Sequence, residues 1–194
     1  MARAGSSRRG WLVASYAGVA AFFALEAVAR EPGEASALAA AETDQGTTRQ
    51  IVAAYGLVAA LSPVLRRLRA GRLPPVSGPT GVAVMAAGLA LRAWSMRTLG
   101  AYYSRTLRTT SGQTVVEDGP YRVIRHPGYL GSIMVWTGFA VASGSAAAAV
   151  GAAALMGNAY RRRIAAEEAM LADRFGRAYA EYSRRTKRLV PFIW

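Results

Sequence analysis

Long apolar runs alternate with polar, arginine-rich segments along this chain. The runs cover residues 11–29, 51–65, 79–99 and 129–160. A helix needs about 20 mostly apolar residues to cross a membrane. The first and third runs have this length, and the second is shorter but is also expected to form one span. The pattern therefore predicts an all-α, integral-membrane helical bundle.

The fourth run contains no charged residue and is too long for a single span. Its "ASGS" stretch at 142–145 supplies a turn, which predicts a tight helical hairpin. Four glycines in the run are expected to let helices pack closely, namely Gly131, Gly138, Gly151 and Gly157. The chain is thus expected to have about five transmembrane helices, with this C-terminal hairpin followed by a charged cytosolic helix.

A few charged residues lie in or next to the apolar runs and bear on whether these runs are membrane helices. Arg8 and Arg9 precede the first run, which makes a cleaved signal peptide the alternative to a membrane helix. Glu26 near the end of that run, and the further apolar runs, favour the membrane helix. Arg92 lies late in the third run, where its long stem is expected to reach the membrane surface.

The amino-acid composition limits the classes of function that this protein can have. The formal net charge of +13 alone would suggest nucleic-acid binding. A hydrophobic content of 53% and a mean hydropathy of +0.17 instead indicate arginines that face anionic lipid headgroups. We therefore expect membrane lipids and no nucleic acid as partners. The chain has no cysteine and one histidine, which excludes thiolate chemistry and argues against a metal site.

The distribution of arginines predicts the orientation. Residues 97–128 and 161–188 carry most of the basic residues outside the apolar runs and lie on the same side of the hairpin. The positive-inside rule places that side in the cytosol. Five spans then put the arginines of 66–72 on the opposite side, against the rule, unless one span near the N-terminus is miscounted.

The stretch "GPYRVIRHPGYLG" at 119–131 carries the only histidine, His126. Pro127 can open the following helix at its first turn, and free N–H groups there suit an anion. The hairpin is expected to bring this stretch next to the charged segment that follows residue 160. The simpler alternative is an interfacial imidazole that caps the helix start.

Arg163 and Glu167 are four residues apart and therefore share one helix face, with Tyr160 one turn earlier. Glu168 is turned about 100° away from that face. Arg163 and Glu167 form either a surface salt bridge, worth well under about 1 kcal/mol, or part of a binding site. Residues 30–50, including Asp44, give no indication of their role.

Four stretches of the sequence resemble the isoprenylcysteine carboxyl methyltransferase family. They are "RHPGYLG" at 125–131, "EE" at 167–168, "FGRAYAEYSRR" at 175–185 and the closing "VPFIW". That family's signature is an Arg-His-Pro-x-Tyr-x-Gly motif, followed after a membrane hairpin by paired glutamates. The resemblance is specific across about residues 88–194 and vague before them.

The resemblance implies a pocket for S-adenosylmethionine at the cytosolic face. Arg163 matches the position that meets the substrate's polar end, and Arg163 and Glu167 together would carry the catalytic roles. Gln113 stands where family members commonly have histidine. The implied cofactor contacts are Gln113, Thr114, Val115, Val116, Tyr121, His126, Pro127, Gly128, Tyr129 and Glu167.

The expected function is methyl transfer from S-adenosylmethionine to a lipidic or prenylated acceptor, in a bacterial-type cytoplasmic membrane or an endomembrane. Residues 1–80 are expected to shape the acceptor tunnel, and residues 81–194 to form the catalytic core. The alternatives are a phospholipid-amine or small-thiol methyltransferase, a nicotinamide-dependent membrane reductase and a non-enzymatic membrane scaffold. The acceptor's identity and the oligomeric state are not readable from the sequence.

Overall fold

The structure is a computed structural model that describes residues 2–28, 44–104, 112 and 114–191. Every regular element in these ranges is helical, which confirms the all-α prediction. The α-helices are α1 (Ala2–Val28), α2 (Thr47–Arg67), α3 (Ser77–Leu99), α4 (Pro127–Ala142), α5 (Ala146–Phe175) and α6 (Arg177–Arg185). Short 3₁₀ helices cover Gly100–Tyr102 and Gly119–Arg122.

Two helices in the described part of the chain are long and apolar enough to cross a membrane. They are Gly10–Val28 within α1, and Thr47–Arg67. The count of five spans and the membrane hairpin stay predictions. α5 continues without interruption from Ala146 to Phe175, so the charged helix expected after the hairpin is the second half of the same element.

α4 lies at the centre of the bundle and contacts α1, α2, α3 and α5. It is uncharged on every side, as expected of a helix surrounded by others. Trp136 near its middle stacks on Tyr55 of α2 at 4.5 Å and meets Phe22 of α1 edge-on at 5.9 Å between ring centroids. α4 begins at Pro127, as predicted. The motif at the N-terminal end of α4 is therefore held in place by the helices that pack around α4.

α3 and α4 approach each other closely at two pairs of glycines. A Cβ on Gly138 would lie 2.6 Å from the carbonyl oxygen of Gly81, and one on Gly131 would lie 2.7 Å from that of Gly88. The close approach predicted for Gly131 and Gly138 is therefore confirmed. The same prediction is wrong for Gly151 and Gly157, where a Cβ would meet no atom of the described residues within 4 Å.

We expect Gly138→Ala to lower the thermal stability of the protein. The added methyl group meets backbone, so α3 and α4 must separate, at a cost of about 1–3 kcal/mol that exceeds the gain of roughly 0.5–1 kcal/mol from a better helix former. Gly157→Ala is the matched control, because its methyl group enters open space and should leave stability unchanged or slightly higher. Thermal unfolding of both variants in detergent tests this, and equal melting temperatures would contradict the packing argument.

Arg92 is buried rather than extended outwards, so the prediction that its long stem reaches the membrane surface is wrong. Its side chain is buried between helices, and its Nε donates to the Glu26 carboxylate of α1 at 2.5 Å. Further hydrogen bonds run from its guanidinium to the Gly128 carbonyl at 2.8 Å and the Tyr103 hydroxyl at 3.1 Å. A buried guanidinium needs a counter-charge, which Glu26 in the first apolar run supplies to Arg92 in the third.

Candidate active site

A cavity of about 580 Å³ opens beside the N-terminal end of α4. This volume is in the usual range for small-molecule sites. One wall comes from the segment before α4 and from the facing part of α5, and the other from α1 and α2. The second wall is mainly apolar and contains Val19, Phe22, Phe23, Glu26, Thr48, Ile51, Val52, Tyr55, Gly56 and Ala59.

Most of the residues predicted to contact the cofactor line this cavity. They are Thr114, Val115, Val116, Tyr121, His126, Gly128, Tyr129 and Glu167, and Arg163 also lines it. Pro127 instead is buried where it opens α4. Gln113 lies outside the described residues. The structure thus brings together stretches that are about 40 residues apart in the sequence.

Tyr129 connects the two sides of the polar wall. Its hydroxyl donates to the Glu167 carboxylate and accepts a hydrogen bond of 3.1 Å from Arg163 Nε. Its ring lies parallel to the His126 imidazole, with 5.5 Å between the ring centroids. The face predicted to be shared by Arg163 and Glu167 therefore exists, and the tyrosine hydroxyl lies between them.

The C-terminal segment fixes the backbone beneath this wall. The backbone N–H groups of Arg125 and His126 donate to the carbonyls of Lys187 and Arg188, at 2.7 and 3.1 Å. The Tyr182 hydroxyl of α6 donates to the Tyr121 carbonyl at 2.9 Å. The two arginine-rich segments thus form one surface, and the motif is held from both sides.

Glu168 has a structural role distinct from that of Glu167. Its carboxylate accepts hydrogen bonds of 2.9 Å from Arg125 Nε and from Arg188 Nε, and His126 Nε2 lies 3.3 Å away. Burial raises the pKa of this carboxyl, but the hydrogen bonds from His126, Arg188 and Arg125 outweigh it and lower the pKa to about 2. Glu168 therefore anchors α5 to the motif.

We expect Glu168→Gln to remove a pH-dependent part of the stability. A carboxyl whose pKa falls from 4.5 to about 2 on folding stabilises the protein above pH 4.5 and loses this effect as the pH falls towards 2. The contribution is on the order of 3 kcal/mol. Unfolding measured between pH 6 and pH 2 should show the gap between wild type and variant closing with acid. Glu181→Gln, in an exposed pair with Arg177, should show no such trend, and a pH-independent gap for Glu168→Gln would contradict this assignment.

Arg163 is buried, and its main partner is Asp44. Its Nη1 donates to the Asp44 carboxylate and to the hydroxyls of Thr47 at 3.0 Å and Thr48 at 3.1 Å. The surface salt bridge considered for Arg163 does not describe this residue, because only 2% of it is exposed. Asp44 was not recognised from the sequence, since nothing local links it to a partner 119 residues away.

The individual residues of the apolar wall were also not predicted from the sequence. Glu26 of this wall and Arg92 of α3 both line the cavity, and they carried a usable signal. Lone opposite charges in two separate membrane-type runs are expected to pair and to face a bundle interior or a cavity. Applied to these two residues, that rule would have placed α1 against α3 near the site.

Comparisons with known proteins agree with this geometry. The model of the Isoprenylcysteine carboxyl methyltransferase (ICMT) family matches residues 81–173. The predicted resemblance to this family is confirmed. Protein-S-isoprenylcysteine O-methyltransferase B of Arabidopsis thaliana is 30% identical over 115 residues, which are 58% of this chain and 58% of that protein.

A second relative and a solved structure extend the resemblance to the ICMT family. Protein-S-isoprenylcysteine O-methyltransferase of Homo sapiens is 30% identical over 116 residues, 59% of this chain and 41% of that protein. The structure of the eukaryotic intramembrane Ras methyltransferase ICMT superposes with a TM-score of 0.63 at 23% identity, over 72% of this chain and 52% of that one. The superposition shows a shared fold. The chain spans less than two thirds of the length of these relatives.

Proposed function

We propose that this protein is an integral-membrane methyltransferase that transfers the methyl group of S-adenosylmethionine to a lipidic acceptor. The acceptor group is the carboxylate of an isoprenylcysteine-like compound. One observation carries this proposal: a cavity with a polar wall from the family-matching segment and an apolar wall from α1 and α2. The names of the relatives support the reaction class.

The polar wall fits the chemistry of the cofactor. S-adenosylmethionine is a sulfonium ion that also carries an ammonium group, and it supplies an electrophilic methyl group when bound. The Glu167 carboxylate, with a quarter of its side chain exposed, and the rings of Tyr121 and Tyr129 suit such cations. Gln113–Val116, Tyr121, His126–Tyr129 and Glu167 would hold the cofactor, and His126 would act by packing rather than as a base.

The acceptor side needs alignment and exclusion of water. An ionised carboxylate is already a nucleophile, so no side chain has to remove a proton. Holding the reacting atoms in line is then the main source of rate. Arg163 would orient the carboxylate by charge-assisted hydrogen bonds, and it stands at the junction of the polar and apolar walls.

The apolar wall suits a lipid tail. Phe23 and Val52 line the cavity and are each close to half exposed, so the surface of α1 and α2 offers hydrocarbon contacts there. A prenyl chain would lie along this wall with its carboxylate towards Arg163. The reaction would then take place at the cytosolic face of the membrane, the side that the arginine-rich segments favour by the positive-inside rule.

The proposal is tested with the purified full chain, labelled S-adenosylmethionine and a farnesylated cysteine that has a free carboxylate. We expect labelled, base-labile methyl ester from this acceptor and none from the same compound with its carboxyl group converted to an amide. A phospholipid amine and a small thiol serve as alternative acceptors. Label in the amine or the thiol, with none in the carboxylate, would overturn the choice of acceptor.

A further inference from the structure

Asp44 contributes a buried charge to the polar wall from outside the family-matching segment. It precedes α2 and is 0% exposed, and its Oδ1 pairs with Nη1 of Arg163. Residues 81–173, which match the family, do not include it. This buried carboxylate is therefore bonded to the arginine that, in the proposed function, binds the acceptor.

Two threonine hydroxyls tie this ion pair to the start of α2. Thr48 Oγ1 accepts from Arg163 Nη1 at 3.1 Å and donates to Asp44 Oδ1 at 2.8 Å. The backbone N–H of Thr48 donates to Asp44 Oδ2 at 3.0 Å. Burial raises the pKa of the Asp44 carboxyl, but the bonds from Thr48 and the charge of Arg163 outweigh it and lower the pKa. The carboxylate is therefore ionised and rigidly held.

The guanidinium of Arg163 is held at two points. Nη1 is bound by the Asp44 cluster, and Nε donates to the Tyr129 hydroxyl at 3.1 Å. Because a guanidinium is planar, bonds at two of its nitrogens fix the direction of the whole group. Functional groups work only when their supports hold them within a fraction of an ångström, and Asp44 provides such a support.

We propose that Asp44 is a positioning residue that acts through Arg163: it holds the guanidinium in the orientation that receives the acceptor's carboxylate. Asp44 does not touch the reacting atoms. The inference rests on the proposed function. It makes Asp44 a part of the active site that the family-matching core does not supply.

A purely structural alternative is that Asp44 only caps α2 through its bond with the Thr48 N–H. Asparagine caps helices as well as aspartate does. Asp44→Asn therefore keeps the cap and removes the charge, so the two roles give different results. Asp44→Glu keeps the charge and shifts its position, so it should recover part of any loss.

The experiment is a double-mutant cycle with Asp44→Asn and Arg163→Lys, read out by methyl transfer and by S-adenosylhomocysteine affinity. We expect Asp44→Asn to lower kcat about tenfold while the cofactor affinity stays within twofold. In the Arg163→Lys background, Asp44→Asn should lower kcat little further, because the effects of substitutions at residues that act together are not additive. Glu181→Gln, which removes an exposed carboxylate, is the control for net charge.

Three results would overturn the inference: wild-type kcat in Asp44→Asn, an undiminished further loss in the Arg163→Lys background, or an equal loss of cofactor affinity. If Asp44→Asn fails to fold, Thr48→Val removes the bridging hydroxyl, keeps both charges and should lower kcat with the cofactor affinity unchanged. A wild-type protein that neither binds S-adenosylhomocysteine nor methylates refutes the proposed function itself. Wild-type activity that Asp44→Asn and Thr48→Val leave intact refutes only the role of Asp44.

Discussion

Glu167→Gln is expected to weaken S-adenosylhomocysteine binding by about ten- to a hundredfold, while Glu168→Gln changes it only a few-fold. Glu167 lines the cavity, and its carboxylate is oriented by the Tyr129 hydroxyl. A hydrogen bond to a charged group contributes roughly 1.5–3 kcal/mol, so loss of the charge costs up to about two orders of magnitude in affinity.

The neighbouring glutamate makes a stringent control for this prediction. Both substitutions remove one negative charge from the same turn of α5, but Glu168 is bound to Arg125 and Arg188 and anchors the motif. Isothermal calorimetry in detergent measures both affinities, after thermal unfolding has shown that each variant is folded. Equal affinities for the two variants would refute the assignment of Glu167 to the cofactor.

Arg163→Lys is expected to lower the rate of methyl transfer at least tenfold, with cofactor affinity within twofold of wild type. A single ammonium group cannot reach both the Asp44 cluster and the Tyr129 hydroxyl as the guanidinium does. A loss of about 1.4 kcal/mol of transition-state binding is already tenfold in rate.

Turnover and cofactor titration on the same Arg163→Lys preparation check this prediction. Arg177→Lys is the matched control, because the side chain of that arginine is 91% exposed in its pair with Glu181 and is not among the described residues that line the cavity. Wild-type turnover in Arg163→Lys would leave the arginine as a buried structural ion pair. The acceptor's polar end would then have to bind elsewhere.

Local signals in the sequence predicted the parts of the fold that depend on neighbouring residues. Helical runs follow from apolar length, and the start of α4 follows from Pro127, which suits the first turn. The shared face of Arg163 and Glu167 follows from helix geometry. These features need no knowledge of which helices touch.

Contacts between distant helices were not predictable in the same way. The pairing of Asp44 with Arg163 depends on how the start of α2 packs against α5, and no local pattern links two residues that are this far apart in the sequence. Glycine spacing did not reveal which of the glycines in the last run face α3. Gly138 does and Gly157 does not, because the contact depends on the register between helices.

The central claim is that the cavity beside the N-terminal end of α4 holds S-adenosylmethionine. Calorimetric titration of the purified full chain in detergent tests it most directly, with S-adenosylhomocysteine and a reduced nicotinamide cofactor in parallel. We predict saturable binding of S-adenosylhomocysteine that Glu167→Gln weakens by about ten- to a hundredfold, and no binding of the nicotinamide. Binding of the nicotinamide cofactor alone would contradict the claim and favour a reductase. Binding of neither compound would also contradict it and favour the non-enzymatic membrane scaffold.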